Sequence, residues 1–277
     1  MPLRFTTIQA PNQEFIIAQV CDFVAAKLGL ETEFVNNIPW EERVRRLDAG
    51  EIEVAWICGL PYIERVDRDN RDEFDRGDRD RPEPAIELLA APVMAAPRYQ
   101  DRPIYFSDVV VSRDSTYQTF KDLRGAVWAY NEPHSHSGYN LTRCTLARMG
   151  AFRGFFSRAV QAGSHQRSIQ MVLQADVDAA AIDSTVLEIE QANNPGLTER
   201  LRVIAELGPS PIPPLVISRR LPPDLRSFIR QALLEMHQDQ AGRRVLAAAN
   251  MARYASVTDA DYDLIRAMTR DANLAQL

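Results

Sequence analysis

The chain has little cysteine and no pattern in what it has. Cys21, Cys58 and Cys144 are scattered through apolar stretches. No C-x-x-C pair offers a metal site, and an odd count gives a disulfide framework no support. Small buried core residues is the role expected for them. No apolar run approaches the ~20 residues that cross a bilayer, so no membrane insertion is expected. A dense Lys/Arg patch is also lacking, and the net charge is −6. That argues against a nucleic-acid binder. It also means that an anionic ligand must be captured by local N–H groups and hydroxyls, because the global field repels it mildly. Glycine-rich phosphate loops of the Walker or dinucleotide type are absent, and no cofactor is expected. There is no G-x-S-x-G elbow. The start, Met1-Pro2-Leu3-Arg4 leading into Phe5-Thr6-Thr7-Ile8, carries no signal-peptide pattern. The expectation is either a cytoplasmic protein or an export segment outside this sequence.

What is present is an α/β alternation with ordinary hydrophobic and charged fractions, 45% and 25%. Residues 4–9 read as a strand, followed by a helix with Phe15, Ile16, Val20, Phe23, Val24 and Leu28 on its apolar face and Gly29 at its end. Residues 31–35 read as the next strand, and Pro39-Trp40 opens a short helix. Residues 51–58 start as an alternating strand and finish apolar, before Gly59-Leu60-Pro61-Tyr62 turns into a helix. From Asp67 to Pro84 Arg and Asp alternate with almost nothing apolar but Phe74, which reads as a solvated loop of mixed sign. Strands are expected over 85–93 and 104–112, with Pro92, Pro97 and Pro103 around a crossing between lobes. A short helix is expected from Asp114 to Leu123, then strands at 126–130, 158–162, 177–182 and 201–207. A stiff proline segment, residues 208–214, reads as a return crossing, before helices over 224–237, 240–249 and from Asp259, capped by Thr258.

The chain is organised around Pro133-His134-Ser135-His136-Ser137-Gly138-Tyr139, which follows the apolar run 126–130 and precedes a helical pattern through Leu141, Leu146 and Met149. Free N–H groups in a helix's first turn, backed by its dipole, bind an anion without a formal positive charge. The alternative is an ordinary serine N-cap. Two further strand ends carry the same theme: Gly163-Ser164-His165 and Asp183-Ser184-Thr185. Trp40 and Tyr62 stand at strand C-terminal mouths as well, the edge at which α/β sheets bind ligands. Ser137, His165 and Asp183 could be drawn as a hydrolase triad, but no motif supports it. His134 and His136 are two apart and could share a metal, but no acid or Cys completes the set.

Several pieces in order resemble the phosphate/phosphite/phosphonate ABC-transporter substrate-binding proteins, a branch of the type 2 periplasmic-binding-protein fold. They are residues 55–62 (AWICGLPY), Tyr105-Phe106-Ser107 with residues 111–115 (VSRDS), residues 120–125 (FKDLRG) and residues 133–139 (PHSHSGY), where the family favours Ser-Thr-Ser-Gly. Ala162-Gly163-Ser164-His165, Val177-Asp178-Ala179-Ala180 and Ser210-Pro211-Ile212-Pro213-Pro214 complete the run. The resemblance implies two α/β lobes joined by two crossings, with a ligand cleft between them. Lobe 1 would hold residues 1–97 and 208–277, and lobe 2 residues 98–207. It implies that Ser135, His136, Ser137, Gly138 and Tyr139, with His165, hold the oxygens of a small oxyanion. Members that bind an aminoalkyl phosphonate meet its amine with acids; here Thr185 stands where such an acid is expected and leaves Asp183 alone to serve, so Trp40, Tyr62 and Tyr105 would suit a different organic group. His136 stands where the family has a small hydroxyl residue, and is expected either to narrow the pocket or to add a donor titrating near neutral pH. A monomeric, non-enzymatic solute-binding protein working with an ABC permease follows. A cytoplasmic sensor of the same fold, or an enzyme similar to those of the menaquinone pathway, stands as the alternative.

Overall fold

Alternating apolar and helical segments build two sheets rather than one. The computed structural model describes residues 2–74 and 85–277. The first segments give β1 (Leu3–Thr7), α1 (Glu14–Leu28), β2 (Thr32–Phe34), α2 (Trp40–Asp48), β3 (Val54–Trp56), α3 (Gly59–Phe74) and β4 (Ile86–Met94). The middle of the chain gives β5 (Ile104–Ser112), β6 (Val127–Tyr130), α4 (Leu141–Arg148), β7 (Arg158–Gln161), α5 (His165–Leu173), β8 (Ala179–Asp183), α6 (Ser184–Asn193), α7 (Leu197–Arg200) and β9 (Leu201–Pro211). The last part supplies β10 (Leu215–Ser218), α8 (Pro223–Leu234), α9 (Gln240–Ala248), β11 (Met251–Ala255) and α10 (Asp263–Ala272).

One unit comprises Met1–Ile104 and Pro211–Tyr262, and the other Tyr105–Ser210 and Asp263–Leu277. The sheet of the first unit has the order β11-β4-β10-β3-β1-β2. β1 is parallel to β2 and β3, whereas β10 is antiparallel to β3 and β4. Phe5, Ile17, Val24, Val54, Leu89, Leu215 and Ile229 are among its buried residues. Trp56 is also buried there and donates its indole N–H to the Pro213 carbonyl at 2.9 Å, which satisfies the one polar atom such a side chain brings into a core.

The sheet of the second unit has the order β7-β6-β8-β5-β9. β6 is parallel to β7 on one side and to β8 on the other, and β5 runs antiparallel to β8. An aromatic cluster fills the core beside it. Trp128 stacks on Phe156 with centroids 4.6 Å apart and meets Phe120 edge-on at 6.0 Å. Phe120 in turn stacks on Phe155 at 5.7 Å.

Several expectations are corrected. The segment 67–84 is not a loop from its beginning, since α3 runs on to Phe74; no Gly or Pro stands between Pro61 and Gly77 to stop it, and residues 75–84 lie outside those described. The unit boundaries differ from 97/98 and 207/208, and residues 263–277 belong with the second unit instead of the first. The reason is α10, whose Met268 and Ala272, with Ala275 beyond it, bury into the core around Trp128 and Leu141. The chain therefore passes between units three times, after Ile104, Ser210 and Tyr262, where two crossings were expected. The proline segment is partly strand, because β9 continues to Pro211. Residues 114–123 yield only a 3-10 turn at Phe120–Leu123, and the short strands β10 and β11 were not anticipated.

Trp128 is fully buried, and its indole N–H has no acceptor among the described residues. Truncation to Ala removes the ring against which Phe120 and Phe156 pack, and should cost about 3–5 kcal/mol. Trp128→Phe keeps much of the stack and deletes an unsatisfied buried donor, so its cost should fall well below that. Chemical denaturation of both variants checks the ordering.

Candidate functional site

Parallel pairing places the ends of β6, β7 and β8 on one edge of the second sheet, and each of these strands leads toward a helix that starts at that edge. After β6 comes the turn singled out in the sequence. It does not enter α4 directly: His136–Asn140 form one π-helical turn that continues into it. The amide of Asn140 reaches the Ser135 carbonyl at 3.0 Å, and that of Leu141 caps back on the His136 carbonyl. Single π-turns are rare and gather at functional sites. Ser135 is the N-cap, its Oγ accepting from the Gly138 N–H at 3.0 Å. The bland N-cap reading is therefore correct for Ser135, and one first-turn amide is already spoken for.

Ser137 lies 3.1 Å from Nε2 of His165, the first residue of α5, whose own N-cap is Ser164. The amide nitrogen of Asn131, at the end of β6, stands 3.4 Å from the same Nε2. Burial pulls the His165 pKa down to about 4, with the Ala181 carbonyl working the other way. His165 is thus a neutral imidazole. Ser107 of β5 closes the floor, donating its hydroxyl to the Ser137 carbonyl at 2.8 Å.

Gly138 is required by contact. A Cβ there would fall 2.0 Å from Asn131 Oδ1 and 3.2 Å from His165 Cε1, so the turn can lie on these two side chains only without one.

At the third helix start, Asp183 is the N-cap of α6. Its Oδ1 accepts from the Thr185 amide at 2.8 Å and from the Thr185 hydroxyl at 2.7 Å. Burial raises its pKa to about 6, opposed by those hydrogen bonds and assisted by the Asp108 carboxylate. With one oxygen committed to its own helix, Asp183 does not complete a Ser137–His165 triad.

His136 requires a correction. It is wholly buried; Nδ1 lies 3.0 Å from the Asn140 side-chain nitrogen, and Nε2 lies 3.0 Å from Ser210 Oγ. Burial pulls its pKa down to about 3. Both ring nitrogens are used inside the protein, so the expected donor titrating near neutral pH does not exist. His134 is exposed. Among the described residues no group of three or more His, Cys, Asp or Glu side chains is placed to hold a metal.

The remaining expected residues are placed as follows. Tyr139 is partly buried, its ring 4.9 Å from that of Tyr130 and under the Arg143 guanidinium at 5.1 Å. Tyr105 is buried at the start of β5, its ring 6.4 Å from that of His136. In the first unit, Trp40 is 38% exposed at the start of α2. Tyr62 is buried, donating its hydroxyl to Asp259 at 2.9 Å and meeting Tyr262 edge-on at 5.0 Å. Sequence reasoning missed Asn131, Asn140 and Thr269. Asn140 had a signal, four residues after His136 and therefore on its face of a helix; Thr269 had none.

Two outcomes follow. Gly138→Ala should destabilise by about 1–3 kcal/mol through overpacking, and adding Asn131→Ala should recover part of that loss by opening the space. Thermal denaturation of the single and double variants measures it. The second concerns acid. The histidines go from an ordinary 6.5 to about 3 and about 4, so the unfolded chain binds their protons first and stability falls as pH drops below 6.5. Asp183 goes from 3.8 to about 6, and its contribution runs oppositely, lost as pH rises through that interval. Two against one leaves about one proton taken up on unfolding near pH 5. Unfolding midpoints between pH 5 and 6.5 should rise with pH, more steeply in Asp183→Asn; a flat profile in both would contradict the assignment.

The family described as "ABC transporter, phosphonate, periplasmic substrate-binding protein" matches residues 9–262. A binding protein component of an ABC phosphonate transporter from Pseudomonas aeruginosa has a TM-score of 0.80 at 18% identity, over 98% of this chain and 87% of that one. PhnD1 from Prochlorococcus marinus, in complex with methylphosphonate, has a TM-score of 0.79 at 18% identity over 98% of both chains. A Xanthomonas citri protein bound to ATP is similar at a TM-score of 0.68 and 15% identity, over 98% of this chain and 96% of that one. Identities this low speak for the fold, which is that of the two-lobed type 2 periplasmic binding proteins. With the match over most of its length, this chain belongs to the periplasmic phosphonate substrate-binding proteins of ABC transporters.

Proposed function

We propose that this protein captures a small phosphonate-, phosphite- or phosphate-like oxyanion on the strand-end edge of its second unit and hands it to an ABC permease. The observation that carries the reading is the juxtaposition of three helix starts with buried hydroxyls and a neutral imidazole between them. Ser135, Ser137, Gly138 and Tyr139 supply the turn, His165 begins one neighbouring helix and Asp183 caps the other. Such an edge offers N–H dipoles and hydroxyls without a formal cation, which binds an oxyanion at modest desolvation cost. His136 takes part from behind the turn. Tyr105, Trp40 and Tyr62 are proposed for the organic part of the ligand, the last two on their strand-end positions alone.

Binding without turnover fits the chemistry. The Ser137–His165 pair has no carboxylate behind the imidazole, since Asp183 caps its own helix. A histidine held near 4 is a poor base at neutral pH. Among the described residues no helix is long and apolar enough to cross a membrane. A monomer that works outside the cytoplasm is the form proposed.

Titration calorimetry of the whole protein with methylphosphonate, phosphite and phosphate tests this. At least one should bind, and Ser137→Ala should weaken it about tenfold or more, the worth of one hydrogen bond to a charged oxygen. Absence of binding to all three, or an unchanged dissociation constant in Ser137→Ala, would remove the proposal.

A further inference from the structure

The reach of His136 goes beyond its own turn. Asn140 Nδ2 carries two N–H bonds, one directed to His136 Nδ1 at 3.0 Å and the other to Thr269 Oγ1 of α10 at 3.1 Å. Because that nitrogen can only donate, His136 Nδ1 accepts, and the ring proton is on Nε2. It is donated to Ser210 Oγ at 3.0 Å, near the end of β9. The Ser210 hydroxyl then turns to Met268 Sδ at 3.4 Å, and the Thr269 hydroxyl to the Ile265 carbonyl at 2.8 Å. Each donor thus has one acceptor, and the direction of every bond is set by the one before it. His136, Asn140 and Ser210 are each at most 2% exposed.

We propose that His136 is a positioning residue for oxyanion capture: it fastens the π-turn that presents Ser137 to β9 and to α10. A single π-turn is poorly stable by itself and persists where surrounding contacts hold it. Here the hold comes from side chains that lie behind the turn and make no claim on its amides. A serine or threonine side chain at position 136 could not span from Asn140 to Ser210, so the turn is fixed through a longer, aromatic link. The inference rests on the reading of the turn as the oxyanion site.

The test uses substitutions away from the turn. In the full chain, Thr269→Val and Ser210→Ala should each raise the dissociation constant for methylphosphonate, phosphite or phosphate, whichever the wild type binds, by about threefold to tenfold. His136→Gln, whose amide nitrogen can still reach Ser210, should retain more affinity than His136→Ala. The double variant His136→Ala/Thr269→Val should be little worse than His136→Ala, because both cut the same chain of bonds. Arg148→Ala is the control. It breaks the exposed Arg148–Asp271 pair between the same two helices at 2.9 Å, and should lower the melting temperature slightly with affinity intact. Unchanged affinity in Thr269→Val and Ser210→Ala overturns the inference. So does an affinity loss in Arg148→Ala that follows the melting temperature as it does in the others. A wild type that binds none of the three anions defeats the functional reading, and this one with it.

Discussion

Parallel pairing of β6 with both β7 and β8 is the constraint on which the second unit depends. Strands that run the same way must finish on the same edge, and the chain must leave each of them at that edge to cross back. The helices after them therefore begin side by side, and their unpaired first-turn amides collect in one place. Once that geometry exists, it has to be satisfied. Ser135, Ser164 and Asp183 each cap the helix that follows, and two imidazoles are held neutral by burial beside them.

The polar groups there divide by task. Asn140, Ser210, Thr269 and His136 are occupied with one another, and Asp183 with Thr185. Ser137 and His165 face each other instead, with Gly138 pressed onto Asn131 beside them.

Much of this was legible in the residues. The α/β alternation, the turn 133–139 and the two other polar strand ends show as breaks between apolar runs, and position alone puts them on a ligand edge. The order of the quoted motifs identified the family. What could not be read depends on contacts distant in sequence. His136 looks like a solvent-facing switch when only its neighbours are known; its burial depends on Ser210 and Asn140, and nothing local announces Ser210 as its partner. Residues 263–277 look like a terminal helix of whichever lobe precedes them. Their assignment rests on Met268, Ala272 and Ala275 fitting the core around Trp128. The charged segment misled for a different reason: charge pattern suggests solvation, yet α3 continues because nothing in residues 62–74 breaks a helix.

The third passage of the chain has a consequence for biogenesis. A protein is made from its N-terminus, and domains ordinarily close as they emerge. Here the second unit is interrupted by Pro211–Tyr262 and completed only by Asp263–Leu277. Its core lacks Met268, Ala272 and Ala275, and Asn140 lacks Thr269, until residues 263–277 have been made. The residues of the first unit all precede Asp263. The second unit is therefore completed after the first, and a nascent chain cannot join Asn140 to Thr269 before residues 263–277 have been made.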